Sequence, residues 1–332
     1  MKRIAVLTSG GDAPGMNAAI RAVTRCAICH GMSVVGVNRG YQGLVEGDMF
    51  DMSSRSVGDI IQRAGTILRS ARSEEFMTEA GRRKALDQMS RRGVEALVVI
   101  GGDGTFRGAC ALAGMGVPAV GIPATIDNDI AFTDYSLGFD TAVNTAVDAI
   151  TKIRDTASSH GRSNVIEVMG RDTGHLALAA GVAGGAEYIL IPEVPFDLDS
   201  MCEGITAGYR RGKTHSIIVV AEGVGGYHSP DELHHESIGF KIGDAVQERT
   251  GLDTRVTVLG YIQRGGAPTA RDRLLATAFG CKAVELLANG EAAKVVGVVG
   301  DDIRAFDIRE VAATRKKVDM DLYNLATMLS RV

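Results

Sequence analysis

The sequence predicts an α/β protein: two doubly wound, mostly parallel α/β lobes with interleaved chain crossings. Three observations predict it. Short apolar runs recur along the 332 residues, many ending in a glycine turn and followed by a helical pattern. These runs do not alternate apolar with polar residues, as expected of parallel strands covered by helices on both faces. No Pro/Gly/Ser-rich linker divides a chain about twice a typical domain of ~150 residues, so the chain is expected to cross between lobes more than once.

The elements follow in order. Ile4 to Leu7 reads as a strand running into Thr8-Ser9-Gly10-Gly11-Asp12, and a helix covers about Met16 to Cys29. Val34 to Val37 is a second strand. Arg82 to Arg92 is an amphipathic helix, and Ala96 to Ile100 a buried strand ending in Gly101-Gly102. A helix from about Phe106 to Ala113 leads to strand Val117 to Ile122. A long irregular stretch, Pro123 to Leu137, precedes a helix over Asp140 to Thr156. The second set comprises strands Val165 to Val168, Tyr188 to Ile191, Ile217 to Val220, Val256 to Leu259 and Val295 to Val299. Helices His175 to Val182, Ser200 to Tyr209, Ile238 to Arg249 and Asp272 to Leu287 separate them, and a last helix lies near Leu322 to Leu329. Gly223 to Pro230 reads as an exposed loop.

Composition narrows the function. Hydrophobic residues are 45% and charged residues 23%, which excludes a disordered chain, a coiled coil and a fibrous protein. Lys plus Arg is 36 against 40 Asp plus Glu, a formal charge of −4, so the footprint of a nucleic-acid binder is missing. Any anion site must come from a few placed arginines. The 42 glycines and absent Trp suggest backbone that approaches ligands closely. Five scattered cysteines (Cys26, Cys29, Cys110, Cys202 and Cys281) fit a reducing cytosol rather than a disulfide framework. No apolar run reaches the ~20 residues of a membrane span, and Ile4 to Leu7 is too short for a signal peptide. A cytoplasmic protein without a membrane partner is expected.

The informative residues fall beyond strand ends, where open parallel sheets bind ligands. In Gly101-Gly102-Asp103-Gly104-Thr105 the glycines let backbone pass close to phosphate oxygens, and the helix start offers free N–H groups. Asp103 would be repelled by phosphate alone; a Mg²⁺ ion bridging carboxylate and phosphate removes the conflict. The bland alternative is a turn with an Asp cap. Gly10-Gly11 is a second close approach and a second wall of the same pocket. In Thr125-Ile126-Asp127-Asn128-Asp129, an extended backbone turns Asp127 and Asp129 to one side, and a carboxylate there can take a proton from a substrate hydroxyl. Arg72, Arg162, Arg171, Arg255 and Arg264 sit beside Gly, Ser or Thr near element ends, where a guanidinium fork matches phosphate.

Three decoys are set aside. Gly208 to Thr214 resembles a P-loop but has one residue too few and follows a helix instead of a strand. Cys26 and Cys29 lie mid-helix with no second pair nearby. His228, His234 and His235 sit in a polar loop without supporting ligand spacing.

Thr8 to Asn17, Gly101 to Thr105, Pro123 to Asp129, Met169-Gly170-Arg171, Pro192-Glu193, Glu222 and Gln263-Arg264-Gly265-Gly266 together resemble the ATP-dependent 6-phosphofructokinases of the bacterial type. The resemblance spans almost the whole chain. It implies transfer of the ATP γ-phosphoryl group to O1 of fructose 6-phosphate, with Mg²⁺ held by Asp103 and Asp127 as general base. Arg72, Thr125 and Arg171 join Asp127 in the catalytic set. Gly11, Arg72, Ser73, Gly102, Gly104 and Thr105 would surround ATP. Thr125, Ile126, Asp127, Arg162, Met169, Gly170, Arg171, Glu222, Arg255, Tyr261 and Arg264 would hold the sugar phosphate. The resemblance further implies a homotetramer in which Arg162 and Arg255 serve a neighbouring subunit's site. An effector pocket for ADP or phosphoenolpyruvate would use Arg21, Arg25, Arg154, Gly185, Glu187, Arg211, Lys213 and His215. The ATP-binding lobe is expected over 1–138 plus about 255–305, and the sugar-phosphate-binding lobe over about 139–254 plus 306–332.

Relatives that use pyrophosphate carry a bulkier acidic residue in place of Gly104 and Lys in place of Ala124. Both positions are small here, which points to ATP. Ala124 differs from the common Gly of ATP users, Tyr261 stands where many members have His, Ser54 where the family often has Arg, and Thr214 where Lys is usual. Other readings are a pyrophosphate-dependent phosphofructokinase, a NAD or lipid kinase, and a catalytically dead nucleotide sensor. The NAD and lipid kinases leave the Asp127 segment and the arginines unexplained, and a dead sensor should have lost Asp103 or Asp127.

Overall fold

The computed structural model describes residues 1–225 and 237–330. The polar loop that carries His228, His234 and His235 lies outside the described residues. In chain order the elements are β1 (Arg3–Ser9), α1 (Met16–Cys29), β2 (Ser33–Val37), α2 (Gly40–Glu46), β3 (Met49–Met52), α3 (Glu74–Met77), α4 (Glu79–Arg91), β4 (Ala96–Gly101), α5 (Asp103–Gly114), β5 (Ala119–Pro123) and α6 (Phe139–His160). Then follow β6 (Ser163–Val168), α7 (His175–Ala183), β7 (Tyr188–Leu190), α8 (Leu198–Arg210), β8 (Ser216–Ala221), α9 (Ile238–Thr250), β9 (Thr254–Val258), α10 (Ala270–Ala288), β10 (Lys294–Val299), β11 (Asp302–Asp307), α11 (Ile308–Ala313) and α12 (Met320–Ser330).

The chain divides into two compact units, Met1–Thr141 with Arg264–Lys316, and Ala142–Gln263 with Lys317–Val332. The first holds a seven-stranded sheet of order β11-β10-β5-β4-β1-β2-β3. Its core strands are parallel; β3 and β11 close the edges antiparallel. The continuous apolar runs are buried on both faces. Ala5, Leu7, Leu97 and Val99 join Leu44, Met89, Leu112 and Val311 in one cluster. Ile4, Val6, Val98 and Ile100, pointing the other way, are equally buried, where α1 and α10 pack together and against the sheet. Gly280 permits that packing: a Cβ there would lie 2.5 Å from the Ala22 Cβ.

The second unit holds a four-stranded parallel sheet, β7-β8-β6-β9, around a core that includes Val165, Ile218, Val220 and Ile189. The expected lobe boundaries shift here. Residues 255–263 belong to the second unit because β9 pairs with β6, and 306–316 belong to the first because β11 pairs with β10. The sequence reading passed over α2, β3, α3, β11 and α11. The edge strands Met-Phe-Asp-Met and Asp-Ile-Arg-Ala-Phe-Asp are short or charged, as unpaired edges commonly are.

Candidate functional site

In the first unit, β1, β4 and β5 are sheet neighbours, with Ser9 beside Gly101 and Gly101 beside Pro123. The three marked sequences therefore leave the same carboxyl-terminal end of the sheet from adjacent strands. Strand order also reverses between β1 and β4, since β2 lies beyond β1 and β5 beyond β4; that is the switch point where open α/β sheets take ligands.

Close backbone contacts explain the glycines. A Cβ on Gly101 would stand 2.3 Å from both the Ser9 carbonyl and the Thr105 Oγ1. Thr105 uses that proximity, donating its hydroxyl to the Ser9 carbonyl at 3.0 Å, while Tyr41 donates to the Thr105 carbonyl at 2.6 Å. Gly102 carries no side chain to cap α5, so the first amides of that helix stay available, and Asp103 occupies its first turn. Asp103 pairs with Arg107 one turn on. At Gly104 an added Cβ meets nothing within 4 Å.

The segment carrying Arg72 is tied to the β1 turn. Thr8 donates to the Arg69 carbonyl at 2.8 Å, and Ser70 donates to the Gly10 carbonyl at 2.6 Å. Arg72 itself is exposed. Ser73 caps α3 by accepting from the Phe76 amide. Arg264, expected among the sugar-phosphate ligands, lies at this turn: its Nη1 donates to the Asp12 carbonyl at 3.0 Å and would meet a Gly11 Cβ at 2.7 Å.

Thr125 and Asp127 are buried, Asp127 to 4% exposure, and the Asp127 amide donates to the Thr125 hydroxyl at 3.2 Å. Asn128 adopts φ 51°, and its side chain bonds the Asp134 carbonyl and the Ser136 amide. Ser136 returns a bond to the Thr125 carbonyl at 2.6 Å. The loop is thus held by its own polar groups. Its far end is fixed by Asp272, whose carboxylate accepts from the amides of Gly138 and Thr141 at 2.9 and 3.0 Å. Burial raises the Asp272 pKa above the usual carboxylate value, against those hydrogen bonds.

The second unit gathers its own set. Met169, Gly170 and Arg171 follow β6, and Glu222 follows the adjacent β8. One Glu222 oxygen accepts the amides of Gly170 and Arg171 at 3.2 and 2.8 Å, holding Arg171 at φ 54°. Gln263, fully buried, accepts from the Met169 amide, and Glu193 accepts from that of Gly174. Tyr261 lies beyond the end of β9, 82% exposed.

Arg162 and Arg255 are not with them. Arg162 precedes β6 and Arg255 is the second residue of the parallel β9, so both lie at the amino end of this sheet. Six residues of strand, roughly 20 Å, separate that end from Met169. The two arginines share Asp253: Arg162 Nε reaches Oδ2 at 2.6 Å and Arg255 Nη2 reaches Oδ1 at 3.1 Å. Asp253, two residues before Arg255, escaped the sequence reading.

Of the expected effector residues, Arg154 donates to the Gly184 and Gly185 carbonyls at 2.8 and 2.6 Å and lies 3.7 Å from Glu187 and 3.3 Å from His215. Glu187, Arg211, Lys213 and His215 line one cavity of about 480 Å³. Arg21 and Arg25 lie on α1 in the first unit. The P-loop look-alike runs from α8 into the turn before β8, the wrong order for such a loop. Cys26 lies 3.8 Å from the Cys281 carbonyl; burial first, then Cys281, pushes its thiol up to about 12. No helix among the described residues is long and apolar enough to cross a membrane.

The phosphofructokinase family profile matches residues 3–287. The chain is 59% identical over 331 residues to the ATP-dependent 6-phosphofructokinase of Halothermothrix orenii, covering 99% of this chain and 100% of that one. It is 54% identical over 330 residues to the protein of the same name from Clostridium tetani, with 99% and 100% coverage. Among solved structures, Pichia pastoris phosphofructokinase in the T-state superposes with a TM-score of 0.86 at 36% identity; 99% of this chain covers 37% of that longer one. A pyrophosphate-dependent phosphofructokinase from Marinobacter aquaeolei superposes at 0.84 over 97% of this chain and 86% of its own, but at 24% identity the likeness speaks for the fold alone.

Proposed function

The chain belongs to the phosphofructokinase family, and from that premise we propose which of its residues carry the reaction. It transfers the γ-phosphoryl group of ATP to O1 of fructose 6-phosphate, giving fructose 1,6-bisphosphate and ADP, a step of glycolysis. The observation that carries the residue assignment is the departure of the Gly10, Gly101 and Thr125–Asp129 segments from three adjacent strands of one sheet.

Asp127 takes the proton from the attacking hydroxyl, and its buried, hydrogen-bonded loop keeps it from wandering. Thr125 orients that carboxylate through the Asp127 amide and stands at the acceptor site, while Ile126 between them is fully buried and supports the loop from behind. Gly11, Gly102 and Gly104 leave room for the phosphates of ATP at the start of α5, with Thr105, whose amide already donates to the Gly102 carbonyl, and Ser73 at their margin. Arg72 and Arg171 offset charge developing on the transferred group. Asp103 fits a magnesium ion: its carboxylate is one-third exposed (34%) in the first turn of a helix, beside amides that suit phosphate. Bound there with phosphate oxygens and water, the ion would spread the charge of the triphosphate.

Met169, Gly170, Glu222, Tyr261 and Arg264 bind the sugar phosphate, Glu222 by shaping the Gly170–Arg171 loop. Arg162 and Arg255 stand a strand length away from Met169, which supports their service to a neighbouring subunit; the family resemblance makes that assembly a homotetramer. An effector pocket for ADP or phosphoenolpyruvate, formed between subunits, uses Arg21, Arg25, Arg154, Gly185, Glu187, Arg211, Lys213 and His215. The protein works in the cytoplasm. Small residues at Gly104 and Ala124 favour ATP over pyrophosphate, the alternative donor.

A coupled assay with fructose 6-phosphate tests this reading. Turnover should need Mg²⁺ and ATP, and pyrophosphate should not replace ATP. Turnover with pyrophosphate at a comparable rate, or a different preferred sugar phosphate, would overturn it.

A further inference from the structure

Behind the Asp127 segment stands a lysine that the reaction described so far does not use. Lys316 is the last residue of the first unit. Its backbone amide donates to the Asp129 carbonyl at 3.3 Å, next to the bridge that pairs Ile130 with Arg315. Its ammonium donates to the Asp134 carbonyl at 2.7 Å. That same carbonyl accepts from Asn128 Nδ2 at 3.1 Å, so one oxygen joins the lysine to the residue between Asp127 and Asp129. Asp134 is itself fastened to the β10–β11 corner, through its amide to the Val298 carbonyl and its carboxylate to the Gly300 amide at 2.7 Å.

We propose that Lys316 is a positioning residue for phosphoryl transfer, its ammonium and amide holding the Asp129 and Asp134 carbonyls so that the loop keeps Asp127 in register with the acceptor hydroxyl. The inference deepens the reading of Asp127 as the base and rests on it. The loop's own polar groups hold Asn128 in its left-handed backbone, and Lys316 adds ties from outside the loop, to the Asp129 and Asp134 carbonyls. The ammonium makes a charge-assisted bond, stronger than the neutral amide bonds of the loop. The lysine is also unusual chemically. Burial lowers its pKa to about 8, although Asp134 and Asp129, the charged groups that face it, pull the other way. Deprotonation leaves a neutral donor without the attraction to either aspartate. The tie therefore weakens within an ordinary assay range.

The test compares wild type with Lys316→Met and Lys316→Arg, following kcat, both KM values and thermal stability over roughly pH 6.5 to 10. Wild-type kcat should decline along an alkaline limb near pH 8. Lys316→Met should lower kcat about tenfold at neutral pH, leave both KM values within about twofold, and lack that limb. Lys316→Arg should keep kcat within about threefold and also lack the limb, because a guanidinium does not titrate there. Stability supplies an independent readout. A lysine whose folded pKa lies below its unfolded value disfavours folding while charged, so wild type should gain stability relative to Lys316→Met as pH climbs from about 8 toward 10.5. A wild-type kcat and limb in Lys316→Met, or a change confined to KM, overturns the proposal. If Lys316→Met does not fold, Lys316→Arg decides alone, and a limb persisting near pH 8 overturns it. An active Asp127→Asn would overturn the base assignment instead, a failure recognisable without any lysine variant.

Discussion

Replacing Gly104 by Asp tests the donor assignment with little disturbance of the fold. Gly104 is the second residue of α5, and a Cβ added there meets nothing within 4 Å. Its φ is not in the left-handed range, so a side chain adds no backbone strain. An acidic residue in the first turn of a helix is worth roughly 0.3–1 kcal/mol, and losing a helical glycine adds a few tenths more. Repulsion from Asp103 offsets part of that gain. The melting temperature should therefore move by no more than a few degrees. Binding of ATP is a different matter. A unit charge about 6 Å from a phosphate, at an effective dielectric near 20, costs about 3 kcal/mol, which solvent screening trims to roughly 1.5–3 kcal/mol. The KM for ATP should rise between about tenfold and a hundredfold in the coupled assay, with the KM for fructose 6-phosphate nearly unchanged. Gly104→Ala separates size from charge and should leave the KM for ATP within about threefold. Unaltered ATP kinetics in Gly104→Asp would refute the placement of the nucleotide phosphates against α5.

Asp127→Ser should slow turnover by at least ~10² while sugar binding and assembly persist, measured by steady-state kinetics and size-exclusion chromatography; undiminished kcat would remove Asp127 from the base role. Co-expressing Asp127→Ser with Arg162→Ala should yield mixed assemblies more active than either variant alone, because each supplies what the other lacks; activity equal to the sum of the parents would refute service across subunits. Asp272→Ala strips the buried amides of Gly138 and Thr141 of their acceptor and should cost about 2–4 kcal/mol by urea unfolding; a loss below about 0.5 kcal/mol would show that other groups hold that loop end.

Much of this protein could be read along the chain. The parallel strands announced themselves because burial on both faces demands uninterrupted apolar runs, as in Ala-Leu-Val-Val-Ile. The glycine turns at Gly10 and Gly101 were legible because their chemistry is local: close backbone, a helix start and an aspartate within a few residues. Lobe boundaries were less legible, because β9 and β11 are claimed by whichever sheet they pair with, and pairing is a property of distant segments.

Residue types and short-range spacing determined the fold class, the strand-end loops and the candidate metal ligand, and the family resemblance singled out Asp127 from the Asp127–Asp129 pair as the base. Tertiary structure alone decided that β1, β4 and β5 lie side by side, that Arg264 reaches the Asp12 carbonyl 252 residues away, and that Arg162 and Arg255 share Asp253 at the opposite end of the sheet from Met169. It also decided that Lys316 meets Asp134 across 182 residues. Local sequence carries the conformational and chemical preferences of a few neighbours, whereas these meetings depend on strand order and direction, which are set by burial of the whole sheet.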